Sequence, residues 1–466
     1  MNTIDIYQEI DKLCCIVSIN KMTYKAYLTY KLGCINVLSI AHHGKLEINT
    51  KNIECHVVST NEIYIIDDII GIESDIGFNN IKFKNLIKVD YCFEEKNFTD
   101  IKFKKINFKF DKINEFLAGL SILKSKQNKS SYTITQKNCK RRKNNIQLSL
   151  PNNFMLSFCQ KQTQDKTGKP TSNITINLNK WIELEAEKEI TLSEFLMYID
   201  KLILFFSIGL KQRVIIDKMW SNEKFNTFST PLTIYPSQIK PIQKKSLDSI
   251  FDMLYCWGNF KNLEKNLCKF IINTDNEKFE TFLQLYLRAT DYNMDYIPQI
   301  TFLTLTQGLE SYLNFKGIKS KKNTTAKLDK IITEINNKYN NERIENALKS
   351  LKSTSFFTKI QLACEQVKIT KILDFSKDNS DINENVLKLI TDIKDFRVYF
   401  THYGTLNKKH FITSIKDVEF ALKILSEIFI LDLIGINTKD IKTIIANNYS
   451  FLDYQDFYFK TYSTKL

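Results

Sequence analysis

Two periodicities divide the chain. Through roughly the first 190 residues, apolar positions alternate with polar ones over short stretches such as Lys12 to Ile19, Tyr24 to Tyr30, Ile81 to Val89 and Ile101 to Phe110. A repeat of two places every second side chain on one face of an extended strand. Shorter β-branched runs at Ile63 to Ile66, Tyr132 to Thr135, Ile146 to Leu150, Phe154 to Phe158 and Ile174 to Leu178 continue the series, and Pro151-Asn152 and Gly168-Lys169-Pro170 mark turns. The pattern predicts a β-sandwich or barrel. Thr191-Leu192-Ser193-Glu194 then has capping-box spacing, which predicts a helix through Phe206 ending near Gly209.

Beyond residue 250 the apolar spacing changes to three and four. Phe279 to Ala289, Ile297 to Phe315, Ala326 to Lys338, Glu342 to Leu351, Phe356 to Gln366, Asn383 to Phe400 and Ser414 to Leu433 each carry one apolar stripe at helical period. Ser414 has the chemistry of an N-cap, with Asp417 in the first turn, and Gly435 supplies a stop. Three of the six prolines, Pro231, Pro236 and Pro241, fall between these regions. Proline continues neither a helix nor a central strand. The expectation is an α+β chain of two domains: a β-rich sandwich or barrel over 1–225, a proline-containing connection over 226–250, and an all-α bundle over 251–466.

Composition narrows the class. With 466 residues, 43% hydrophobic and 12% aromatic, the chain has material for two cores. The ten cysteines include no Cys-x-x-Cys pair and none stands at zinc-finger spacing to a histidine, so a reduced cytoplasmic protein without a metal or other cofactor is expected. The longest apolar run, Leu202 to Ile208, is far short of a membrane span. The net charge of +14 is uneven. Residues 251–466 hold 30 basic and 26 acidic side chains, whereas 101–150 alone hold 13 and 2. Within that stretch Lys137, Lys140, Arg141, Arg142 and Lys143 form a cluster able to attract RNA by counterion release, or else a solvated loop.

The candidate chemistry lies in Ile393-Lys394-Asp395-Phe396-Arg397-Val398-Tyr399-Phe400-Thr401-His402-Tyr403. A guanidinium grips phosphate through a planar fork, and an imidazole exchanges protons near neutral pH. Together they suffice for cleavage of a phosphodiester. Positions five apart on a helix diverge by about 140°, so either the helix ends between Arg397 and His402 or a second subunit completes the site. Asp395 and Tyr403 are nearby supporting candidates; each reads equally as surface charge or packing. His42, His43 and His56 lack a carboxylate motif, and adjacent strand residues face opposite ways, which argues against metal ligation. His410 is a weaker second candidate.

The Arg-x4-His spacing resembles the HEPN superfamily of helical ribonucleases. Together with Phe302-Leu303-Thr304-Leu305-Thr306-Gln307-Gly308-Leu309-Glu310-Ser311-Tyr312, it resembles the ApeA-like branch of anti-phage proteins. The resemblance covers roughly 275–450. It implies an HEPN bundle that dimerises, Arg397 and His402 as catalytic residues, and Glu310 orienting Arg397. It further implies an abortive-infection effector, answering a phage-derived trigger by cutting RNA, with transfer RNA a candidate. The β-rich half would then be the sensor or RNA-guiding domain. The chain departs from the common HEPN pattern at Val398, where a polar residue often follows the arginine. A non-catalytic HEPN module that binds RNA or protein is the alternative reading.

Overall fold

The computed structural model describes residues 10–20, 22–31, 36–42, 44, 46–48, 52–60, 62–75, 77–89, 102–117, 123–128, 131–136, 146–165, 175–222, 232–236, 253–290, 297–318, 334, 356–373, 384–402 and 415–447. The chain forms two compact units. One comprises Met1–Phe206 with Arg213–Lys244, the other Ser207–Gln212 with Lys245–Leu466.

The first unit is built on fourteen described strands. Six of them, β1 (Ile10–Ile19), β2 (Met22–Tyr30), β3 (Asn36–Ala41), β4 (Ile53–Val57), β5 (Ile63–Asp75) and β6 (Phe78–Val89), close into an antiparallel barrel in the order β6-β3-β2-β1-β4-β5, with β5 returning to β6. Alternation fills its interior: Val17, Leu28, Leu38, Ile65 and Ile81 are fully buried. Cys15 and Cys55 share that interior, and burial pushes the Cys55 thiol well up.

The second half of β6 leaves β3 and pairs instead with β14 (Leu232–Tyr235) through Leu86, Ile87 and Lys88. From there an open antiparallel sheet runs outward through β13 (Ile216–Ser221), β7 (Lys102–Phe110), β12 (Thr175–Thr191), β11 (Phe154–Asp165) and β10 (Ile146–Leu150). A separate hairpin joins β8 (Leu123–Asn128) and β9 (Ser131–Gln136), and α1 (Ile113–Phe116) follows β7. The expected connection over 226–250 therefore contains a strand. Pro231 and Pro236 bracket four residues that retain their N–H groups, and β14 pairs through them. The rest of that segment lies outside the described residues.

One face of the open sheet is aromatic and is covered by α2 (Leu192–Leu210). Phe110 stacks on Phe206 at 4.7 Å and Phe154 on Tyr198 at 4.1 Å. The capping box forms as the spacing predicts: Glu194 Oε2 accepts from the Thr191 backbone N–H at 2.8 Å, and Thr191 Oγ1 accepts from the Glu194 N–H at 3.3 Å. The Thr191 backbone N–H and, at 2.8 Å, its hydroxyl both donate to the Glu194 carboxylate and hold it below its usual range.

The second unit is helical. Its described helices are α3 (Leu263–Thr274), α4 (Glu277–Thr290), α5 (Pro298–Phe315), α6 (Phe356–Val367), α7 (Ile369–Leu373), α8 (Glu384–His402), α9 (Ile415–Leu433) and α10 (Thr438–Ala446). α9 is buried on nearly every side and serves as the central rod, with Tyr312 of α5 stacked on its Phe429 at 4.4 Å. A polar group sits inside this packing. Glu427 of α9, 3% exposed, accepts from Tyr286 Oη at 2.9 Å and pairs with Lys211 Nζ, also at 2.9 Å. A buried carboxylate persists when its charge is matched and it accepts hydrogen bonds, and Oε1 of Glu427 has both a cation and a hydroxyl donor. Gly435, with φ of 86°, ends α9 in the left-handed conformation expected of a C-terminal glycine. The helices expected at 326–338 and 342–351, and the Ser414 cap, lie outside the described residues.

Candidate active site

α8 and α5 create the site. Phe302 of α5 is fully buried and meets the rings of Phe396 and Phe400 of α8 at 6.1 and 6.0 Å, which sets the register between the two helices. That register brings Arg397, the next residue after Phe396, beside Glu310. Arg397 Nη2 donates to Glu310 Oε1 in a charge-assisted bond. The side chains are 31% and 38% exposed, so the pair sits at the solvent boundary rather than in the core.

A third residue completes the setting. The ring of Phe356, at the first turn of α6, lies 4.4 Å from Arg397 Cζ, in cation–π range. Glu310 and Phe356 together fix the guanidinium in two directions, one by hydrogen bond and one by stacking. The sequence pattern marks Phe356 only as a helical apolar position; no signal couples it to a residue 41 positions on. Thr401 Oγ1 donates to the Arg397 carbonyl at 2.7 Å, tying the last turn of α8 together.

α8 runs without a break through His402. Of the two arrangements open from sequence, helix termination between Arg397 and His402 is thus excluded. On a continuous helix the two Cα directions lie about 140° apart. Asp395 is half-buried on the same helix and, among the described residues, makes no ion pair with the Arg397 and Glu310 group. Val398 is exposed. Tyr403, His410 and the cluster Lys137, Lys140, Arg141, Arg142 and Lys143 lie outside the described residues. In the barrel, His42 packs edge-on against Tyr24 at 5.4 Å, and His56 Nε2 lies 3.7 Å from Glu54.

A barrel with an open sheet, followed by a helical unit that sets an arginine beside a glutamate ahead of a histidine, meets its counterpart among known families twice. Residues 21–267 match ApeA N-terminal domain 1. The chain belongs to the ApeA family. Residues 303–440 match the Apea-like HEPN domain, a family generally associated with ribonuclease activity, so the stretch from within α5 to the first turn of α10 constitutes the HEPN domain of this chain. Membership points to an anti-phage HEPN effector. No curated protein and no solved structure matches the chain. Among the described residues no helix is long and apolar enough to cross a membrane.

Proposed function

We propose that this ApeA-family chain is a cytoplasmic, metal-independent endoribonuclease that cuts RNA when a phage-derived signal releases it, with transfer RNA as the candidate target. The observation that carries the reading is the Arg397 guanidinium, held by Glu310 and Phe356 on the helix that also bears His402. In the reaction the substrate's 2′-hydroxyl attacks the adjacent phosphorus and the 5′-oxygen leaves. His402 transfers the proton, as base to the 2′-hydroxyl or as acid to the 5′-oxygen. Arg397 binds the phosphoryl oxygens and stabilises the charge that grows on them. The products are a 2′,3′-cyclic phosphate and a 5′-hydroxyl. DNA, which has no 2′-hydroxyl, is spared.

The unbroken α8 gives the reading a geometric corollary. Because positions five apart on a continuous helix diverge by about 140°, a second copy of the chain completes the site in this reading, and the active species is a homodimer joined through the helical unit. Cleavage assays on purified protein test this. Arg397→Ala and His402→Ala are each expected to lower the rate by roughly a hundredfold or more, EDTA is expected to leave it unchanged, and light scattering is expected to give the mass of a dimer. Undiminished cleavage by either variant refutes the assignment. It would also leave the chain as a non-catalytic HEPN module.

A further inference from the structure

The open sheet has a second face, opposite α2, and its chemistry is unlike that of a solvated sheet surface. Asn107 sits at its centre on β7, with Glu183 of β12 directly beside it on one side and Trp220 of β13 on the other. Asn107 is 1% exposed, and neither its amide nitrogen nor its amide oxygen has a hydrogen-bond partner among the described residues. Leaving both ends of a buried amide unpaired is costly, and folds retain such a group where something else pairs with it. Two residues further along β7, Lys109 stands directly opposite Lys218 of β13. Like charges facing each other across a ladder destabilise a sheet, and an anion between them removes the penalty. Lys218 Nζ also lies 5.4 Å from the Trp220 ring.

The aromatic content of this face is as specific as its charge. Trp181 of β12 is in register with Cys159 and precedes Ile182, whose partner on β7 is Phe108, so it falls beside Lys109 on the same face as Trp220. Both indoles are half-buried, and they are two of only three tryptophans in the chain. Half-buried flat rings, lysines beside them and an amide edge with donor and acceptor side by side are the elements that recognise unpaired nucleotides: stacking for the bases, cations for the phosphates, a bidentate edge for one base. Glu183, beside Asn107, is held by Lys105 Nζ at 3.1 Å, and Lys105 also pairs with Glu185 at 2.9 Å, so a base reaches the amide only when that ion pair swings aside.

We propose that the face of β11, β12, β7 and β13 opposite α2 binds single-stranded RNA, stacking bases on Trp181 and Trp220 and pairing one base edge with the Asn107 amide. The choice of RNA as the polymer rests on the ribonuclease reading; the site itself does not. It places the guiding role in the β-rich unit on the sheet face.

The test is fluorescence anisotropy with the full chain carrying His402→Ala, so that the strand stays intact, and a short fluorescein-labelled oligoadenylate as probe. Trp220→Leu is expected to weaken binding roughly tenfold to a hundredfold, Trp220→Phe much less, and Asn107→Ala to weaken oligoadenylate more than oligouridylate. Intrinsic tryptophan fluorescence is expected to be quenched on binding, and circular dichroism melts confirm that each variant is folded. Equal affinity in Trp220→Leu, Trp181→Leu and the parent overturns the proposal. AMP binding as tightly as the strand overturns its polymer character in favour of a mononucleotide site. Failure here with intact cleavage by the unmutated chain removes only the sheet site. Loss of strand binding in these variants alongside cleavage that survives Arg397→Ala removes only the catalytic assignment.

Discussion

At the scale of single residues, the decisive arrangement is the two-sided grip on Arg397. An arginine that must meet a phosphate loses rotamer freedom on binding, and a partner that fixes the guanidinium beforehand reduces that loss. Glu310 does this through a charge-assisted bond and Phe356 through its ring. Because a cation–π contact at a partly exposed site is worth about 0.5–2 kcal/mol, Phe356→Leu is expected to lower kcat/KM for RNA cleavage by roughly twofold to thirtyfold, while Phe356→Tyr restores it. Steady-state cleavage kinetics check this. Unequal behaviour of leucine and tyrosine separates stacking from simple filling of space. Glu310 was legible because its motif resembles a known helix; Phe356 was not, since periodicity reports burial and not which long-range neighbour a ring will meet.

At the scale of elements, two glycines separate close packing from mere tolerance. A Cβ on Gly209 would come within 2.6 Å of the Tyr255 ring and 2.8 Å of its carbonyl oxygen, and that same segment donates from the Leu254 N–H to the Gly209 carbonyl at 2.8 Å. Backbone cannot retreat as a side chain can, so Gly209→Ala is expected to destabilise by about 2 kcal/mol or more. A Cβ on Gly308, in α5, would lie 3.4 Å from the Leu285 Cβ and 3.5 Å from the Phe282 ring, which is ordinary contact. Gly308→Ala is therefore expected to stabilise by up to about 1 kcal/mol through helix propensity. Thermal or urea denaturation of the two variants gives both signs. The sequence marks Gly209 only as a helix end, yet α2 continues to Leu210 and the residue is held by what crosses it.

At the scale of the whole molecule, the division into a β-rich and a helical part was readable from the change in period near residue 250, because a repeat of two and a repeat of 3.6 cannot both be satisfied by one backbone geometry. The closure was not. β3 and β4 are only six and five residues long, and runs such as Asn36 to Ala41 carry too few alternations to stand out from their surroundings. β14 is buried along its whole length and shows no alternation, so the flanking prolines are the stronger signal in the sequence. α3 and α10 add to the helices expected from the apolar stripes; each is capped by an asparagine side chain, Asn262 and Asn437, that accepts from the backbone N–H three residues on.

The long β5 and β6 hairpin belongs to two structures at once: the rungs near its turn close the barrel, and its far end carries β14 and through it the open sheet. Separate melting of the two is thereby forbidden, since no rung of β6 can be released without opening a boundary on either side. Amide protons of β3 and of β14 are thus expected to exchange with deuterium at matching free energies of opening, as one foldon, although they never touch in the ladder. A disturbance that pries at the rim of the barrel would reach the tryptophan-bearing sheet as a change of twist along a single shared ribbon, with no intervening loop to absorb it.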